Sequence, residues 1–283
     1  MLTVSMLSTY LYCKRKLYLQ KVLKLEEPER EDAVLGTIRH ETYDLINKHE
    51  QALVTSIQRK VPREILHELY KLHYSEHLRN AIRAHKERLL AVGINPGEVF
   101  KQFWTLVLEE SITRADNIYN FIETHLVFGE KLWESLMPKI VSEFGVLSEE
   151  LDLVGKIDQV EHWKDGFVPI EIKTGAAPQD GIWPGHRIQL IAYALLLEEH
   201  YKKPVKEGFV VYVNSRQRRH VAINPFMKLE LKAMIAEIKQ LLASRELPEY
   251  TPHKRKCESC GLRQQCHDKA FMEQHIWMLQ TAQ

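Results

Sequence analysis

Between Gly155 and Lys173 the chain reads GKIDQVEHWKDGFVPIEIK, and Asp158, Glu171 and Lys173 within it are of the types that handle a hard cation and a phosphate. The stretch predicts two short strands joined by a tight turn at Lys164, Asp165 and Gly166. Strand alternation places Val168, Ile170 and Ile172 on one face and Glu171 and Lys173 on the other. Pairing across the hairpin would bring the Asp158 carboxylate close to Glu171. Two adjacent carboxylates seat a hard divalent cation, and a neighbouring lysine can orient water and meet charge developing on a phosphate. Asp…Glu-x-Lys is therefore the shape of a metal-dependent phosphodiesterase site.

Charged residues on a solvated hairpin are common, so the triad needs company. Upstream, Gly36-Thr-Ile-Arg-His40 ends a G-x3-H unit in histidine; downstream, Gln189-Leu-Ile-Ala-Tyr193 puts Gln and Tyr four apart on one helix face. With G-x2-D (Gly155 to Asp158), E-x-K and Q-x3-Y following in that order, the sequence resembles the RecB-like branch of the PD-(D/E)xK nucleases.

The four cysteines are Cys13, Cys257, Cys260 and Cys266, the last three as C-x2-C-x5-C. Such a multi-thiolate spacing suits tetrahedral zinc or an iron-sulfur cluster, and spacing alone leaves both open. A remote amino-terminal cysteine joined to three carboxy-terminal ones is similar to the iron-sulfur nucleases of this superfamily, the AddB-type helicase-nucleases and the CRISPR-associated Cas-four exonuclease family. The second resemblance is the nearer.

That resemblance, over residues 5–48 and 146–266, implies a restriction-endonuclease-like fold and a divalent-metal DNA exonuclease. By motif position His40, Asp158 and Glu171, with the Ile172 carbonyl, would hold Mn2+ or Mg2+. Lys173 would be the catalytic lysine, and Gln189 and Tyr193 would support the site and contact DNA. It also implies a 4Fe-4S rather than a 2Fe-2S cluster on the four cysteines, with zinc as the alternative. The expected substrate is single-stranded DNA or overhangs, trimmed for CRISPR spacer acquisition alongside integrase proteins. A repair nuclease outside CRISPR, or a DNA-binding scaffold subunit, are the competing functions.

The elements that must position these residues follow from periodicity. Residues 3–24 predict one helix, with Leu7, Leu11, Tyr18 and Val22 near helical spacing, Ser5 or Ser8 as caps and Cys13 inside it; a second helix carrying His40 runs from Gly36 to Lys48. Residues 62–138 predict helices, broken at Gly93–Gly97 and again between about Glu110 and Ile112. In that segment His73 and His77 stand four apart on what reads as an ordinary exposed helix, and Trp104 and Tyr119 are available to stack bases. The sheet occupies about 139–173, a helix 186–200, two further strands 207–214 and 218–223, and a helix 226–244. The expected architecture is α/β: a mixed sheet flanked by helices, with the cysteines joining the chain ends. The expected division is a nuclease domain of 1–61 and 139–283 interrupted by a helical insertion, 62–138, that caps the site.

Composition narrows the class. Across 283 residues, 45% hydrophobic and 27% charged describes a globular chain, and 39 basic against 38 acidic residues give a net charge of +1. Bulk charge therefore does not mark a nucleic-acid binder, although Lys14-Arg15-Lys16, Arg216–His220 and His253–Lys256 are local basic clusters. No apolar run approaches the roughly 20 residues of a membrane span, and the amino terminus lacks a signal-peptide pattern. A cytoplasmic location is expected.

Overall fold

The computed structural model of the chain describes residues 1–244 and 246–281. A six-stranded mixed sheet lies at its centre. Its strands are β1 (Leu2–Thr3), β2 (Lys139–Ser148), β3 (Leu153–His162), β4 (Phe167–Lys173), β5 (Glu207–Tyr212) and β6 (Gln217–Ala222). The order is β1-β3-β4-β5-β6, with β2 antiparallel to β3 along its length. Trp163 N–H donates to the Gly166 carbonyl at 2.9 Å and closes the expected turn between β3 and β4. β4 pairs antiparallel with β3 but parallel with β5. A parallel neighbour needs a crossover, and α8 (Pro184–Tyr201) supplies it. Flanked on both sides and covered on both faces, β4 buries its five inner residues, Val168 to Ile172.

The amino-terminal segment is two helices, α1 (Val4–Tyr12) and α2 (Lys14–Lys21), rather than one. Cys13 is not inside a helix. Its backbone is extended, φ −166° and ψ 116°, and its Sγ accepts from Lys16 N–H at 3.4 Å, so it caps α2 and turns the chain. α3 (Glu31–Thr55) starts five residues before Gly36, with Glu31 and Asp32 favourable in its first turn.

The helical segment comprises α4 (Arg63–Ala84), α5 (Lys86–Ala91), α6 (Pro96–His125) and α7 (Gly129–Ser135). Asn95 caps α6 by accepting from Gly97 N–H at 2.7 Å, and Pro96 follows at the first helical position. The break expected near residue 111 is absent: buried Ser111 returns its hydroxyl to Leu108 O at 2.7 Å, and the helix runs on for 30 residues. α3 shares one apolar core with α4, α6 and α7, through Val34, Ile38, Leu66, Tyr70, Phe103 and Leu132 among others.

That core overturns the exposed reading of α4. His77 is only 7% exposed, stacked on His49 with centroids 4.7 Å apart, and His73 meets its edge at 4.5 Å. Residues four apart share a helix face, and on α4 that face packs inward beside Tyr70 and Tyr74. Burial first, then the neighbouring His73 and His49, holds His77 down to about 4, so it is neutral near pH 7. Trp104 stacks on Phe100 at 5.9 Å, and both it and Tyr119 pack against the same core rather than projecting as free stacking platforms.

The sheet core gathers α1, α8 and α9 (Pro225–Ala243) on residues such as Leu7, Ile157, Leu190 and Ile235. A small third cluster, Leu19, Leu25, Leu262 and Met272, ties α2 to α11 (Arg263–His267) and α12 (Lys269–Thr281), which follow the short α10 (Lys254–Glu258). Among the described residues, no helix is long and apolar enough to cross a membrane.

Candidate active site

The β3–β4 ladder pairs His162 with Phe167 through to Gln159 with Ile170, and then it opens. At the opening the Asp158 carboxylate replaces a backbone partner: Oδ2 accepts from Ile172 N–H at 2.6 Å. Glu171, next on β4, is 2% exposed; one oxygen is ion-paired with Lys173, and buried Oε2 has no hydrogen-bond partner. From α3, His40 Nδ1 lies 3.3 Å from Asp158 Oδ1 and 3.7 Å from Glu143 Oε1. The ligand atoms of His40, Glu143 and Asp158 fall within 4.8 Å of one another.

Electrostatics describe a pocket short of positive charge. Burial, reinforced by the Glu171 charge, raises the Asp158 pKa against the opposing pull of His40, the Ile172 amide and Lys173. For His40, burial lowers the pKa, but the carboxylates of Glu143, Asp158 and Glu171 outweigh it and raise the imidazole above its ordinary range. Burial likewise lowers Lys173, yet Glu171 and Asp158 leave its ammonium favoured overall. Stacked carboxylates, a histidine nitrogen and an orphaned buried acceptor form a donor set suited to a hard divalent ion.

α8 brings up the last motif. Tyr193, buried, donates its hydroxyl to Lys156 O at 3.1 Å, and burial with the charges of Glu171 and Asp158 pushes its pKa well up. Gln189, also buried, adjoins the same hydroxyl one turn earlier. The close approach of α8 explains Gly155: a Cβ there would meet Leu196 and Val4 at 3.0 Å and Tyr193 at 3.1 Å.

A profile of the PD-(D/E)XK nuclease superfamily matches residues 1–267. The chain belongs to the PD-(D/E)XK nuclease superfamily. Among curated relatives of this nuclease, the CRISPR-associated exonuclease Cas4/endonuclease Cas1 fusion of Myxococcus xanthus is 33% identical over 128 residues, 44% of this chain and 22% of the relative. The CRISPR-associated exonuclease Cas4 of Rhodospirillum rubrum is 30% identical over 117 residues, 41% of this chain and 35% of the relative. The DNA replication ATP-dependent helicase/nuclease JHS1 of Arabidopsis thaliana is 22% identical over 227 residues, 75% of this chain and 16% of the relative. The chain thus spans about a sixth to a third of the length of these three relatives.

Within this superfamily member, the sequence motifs converge: His40, Asp158, Glu171, Lys173, Gln189 and Tyr193 come from α3, β3, β4 and α8 onto one site. Glu143 is the residue that sequence reasoning missed. It stands opposite Asp158 across the β2–β3 pair, between the partners Ser142–Gln159 and Phe144–Ile157, and its φ of 52° marks a local break in β2. It is also ion-paired with Lys156, and His40 and Lys156 hold its carboxyl below the usual range. Only the strand register, which no motif encodes, could have revealed it.

The four cysteines, 244 residues or more apart between Cys13 and the rest in sequence, line one cavity. Cys13 and Cys260 are near enough to Cys266 to act on its thiol electrostatically. Cys266 is served by Arg15, whose Nε–H donates to Sγ at 3.2 Å while its guanidinium lies 4.1 Å over the Tyr250 ring and donates to Pro248 O at 2.9 Å. Burial raises the Cys266 thiol and Arg15 draws it back. The Tyr12 hydroxyl donates to the Lys256 carbonyl on α10 at 2.5 Å, and Lys256 Nζ returns a bond to Leu11 O at 3.1 Å, so the two cysteine-bearing segments are laced together.

Proposed function

We propose that this chain is a divalent-metal-dependent DNA exonuclease acting on single-stranded DNA or overhangs. The observation that carries the reading is the buried Glu171 with an unsatisfied oxygen beside Asp158, His40 and Glu143. His40, Asp158 and Glu171, with the Ile172 carbonyl, would hold Mn2+ or Mg2+, and Glu143 joins them. When bound there, such an ion would neutralise the phosphate, polarise the scissile bond and make water a better nucleophile. Lys173, tethered by Glu171, donates toward charge developing on the phosphate. Tyr193 and Gln189 keep α8 against the site and shield Glu171 from bulk water.

Cys13, Cys257, Cys260 and Cys266 would hold a 4Fe-4S cluster. The helical segment 62–138 acts as an insertion bordering the cleft: Arg216, after β5, is ion-paired with Glu109 of α6 at 2.7 Å, and Arg39, adjacent to His40, lies 4.1 Å over Phe103. Such a border hinders a continuous duplex more than a flexible strand.

The relatives' names, CRISPR-associated exonuclease Cas4 and its fusion with endonuclease Cas1, support a CRISPR setting, in which our reading is that the chain trims DNA for spacer acquisition beside an integrase. The longer match to a replication helicase/nuclease keeps a replication or repair setting as the second reading. The purified chain should degrade single-stranded and overhang DNA faster than blunt duplex with Mn2+ or Mg2+ and be silent in chelator. Glu171→Gln should lower the metal-dependent rate about 10²-fold or more. Undiminished cleavage by that variant, or equal rates on all three substrates, would overturn the corresponding part of the reading.

A further inference from the structure

We propose that the cleft between the end of α1, the start of α8 and α10 is a binding track for single-stranded DNA leading to the carboxylate site; this rests on the nuclease reading above. The cleft, of about 670 Å³, is lined by Tyr12, Lys16, Trp183, His186, Arg255 and Lys256 among others, and no carboxylate contributes to its wall.

Its charge suits a polyanion. Lys16 is neutralised by Glu27 at 2.6 Å. Lys256 spends only one bond on the Leu11 carbonyl, and Arg255 is exposed, with no ion pair among the described residues. Two unneutralised cations therefore face a wall without acids, where phosphates are the complementary partner.

Its aromatic surface suits an unpaired base. Trp183 is 47% exposed, and its indole N–H donates to Ala176 O at 2.9 Å, which fixes the ring plane while leaving area open. A base can stack on such a ring only when its own face is free, as in a single strand. Trp104 and Tyr119 are instead partly buried, packed against the helical core.

The cleft is continuous with the chemistry. Trp183 N–H donates to the Tyr212 hydroxyl at 3.4 Å, and His186 Nδ1 shares that hydroxyl at 3.0 Å. Tyr212 is the strand partner of Lys173. His186 stands at the start of α8, whereas Gln189 and Tyr193, further along the helix, are buried against the sheet beside Glu171, so the cleft meets the site at the amino-terminal end of α8. A strand crossing the start of α8 past Trp183 and His186 would place phosphates near Arg255 and Lys256 while its end approaches Lys173.

The test uses the full chain in chelator, so that binding is read without cleavage, and a fluorescent oligothymidylate as the probe. Trp183→Ala should weaken binding about fivefold or more, the loss of one stacked base. Arg255→Glu should weaken it and lower the salt slope by about one, whereas Arg83→Glu, on α4 outside the cleft, should leave both unchanged. An iodouracil-substituted oligonucleotide should photocrosslink to Trp183. If wild type binds and both cleft variants match it, the track is wrong and the nuclease reading stands. If wild type neither binds nor cleaves DNA, both fall. Should Trp183→Ala fail to fold, the exposed, unpaired Arg255 carries the decision alone.

Discussion

Glu171 keeps its carboxylate at 2% exposure with one oxygen on Lys173 and the other unpartnered, and Asp158 beside it is buried against the same charge. Two acids close together in a dry pocket oppose folding unless a cation joins them. The sign can be worked out for Asp158. Its pKa is raised in the folded chain, so over the range above the ordinary aspartate value the native state binds more protons than the unfolded one. Metal-free stability should therefore fall as pH rises through that range. Asp158→Asn keeps an acceptor for Ile172 N–H and removes the charge. Thermal melts in chelator should show a higher midpoint for Asp158→Asn at pH 7, a weaker pH dependence than wild type, and no further stabilisation on adding Mn2+. A variant that melts lower at pH 7 and still gains from Mn2+ would contradict the assignment of Asp158 as a ligand.

At the scale of elements, the site depends on how tightly α8 lies on β3. Gly155 permits it: a methyl group there would press on Leu196, Val4 and Tyr193 at once, and all three belong to packed elements. Overpacking of this kind costs about 1–3 kcal/mol. Gly155→Ala should therefore lower the urea midpoint without changing the denaturant slope. It should also reduce cleavage more than stability predicts, because displacing α8 moves Tyr193 and Gln189 away from Glu171. Cleavage falling only in proportion to the folded fraction would mean that α8 supports the fold but not the chemistry. The same element-scale reasoning explains Cys13. An extended residue between α1 and α2 lets its thiol reach the carboxy-terminal cysteines, whereas a single straight helix would fix its direction by the helix face alone.

Over the whole molecule, the turn between α1 and α2 meets the segment of α10 and α11 at the cysteine cavity. Among the described residues, the small apolar cluster beside it has Leu19, Leu25, Leu262 and Met272 as its buried members, little surface to hold a carboxy-terminal segment by itself. Ligation of the thiols would supply the rest, since binding energy at such a site is folding energy. Cys260→Ser should lose iron and visible colour and become protease-sensitive after about residue 245, while Lys173→Ala keeps colour and folding. If the cavity wall also forms the DNA track, Cys260→Ser should weaken oligothymidylate binding in chelator as well. A Cys260→Ser protein that loses colour yet keeps full protease resistance would show that these segments are held by packing alone.

The sequence by itself determined what is local. The Glu171–Lys173 alternation, the Gly166 turn, the four-residue step from Gln189 to Tyr193 and the cysteine spacing are short-range patterns set by strand and helix periods. The ordered motifs were enough to indicate the mixed sheet and the nuclease family. Tertiary structure alone decided what depends on register and packing between distant elements. Glu143 joins His40 and Asp158 only because β2 and β3 pair in one particular register. His77, four residues from His73, turns inward only because α4 meets α3, and α6 runs unbroken because its stripe continues along that same core. Trp183, in a loop that periodicity leaves unmarked, acquires a place beside Lys173 through one hydroxyl on β5. Each of these positions is fixed by contacts between segments tens to hundreds of residues apart, and a linear pattern carries the period of an element but not the partner against which it comes to rest.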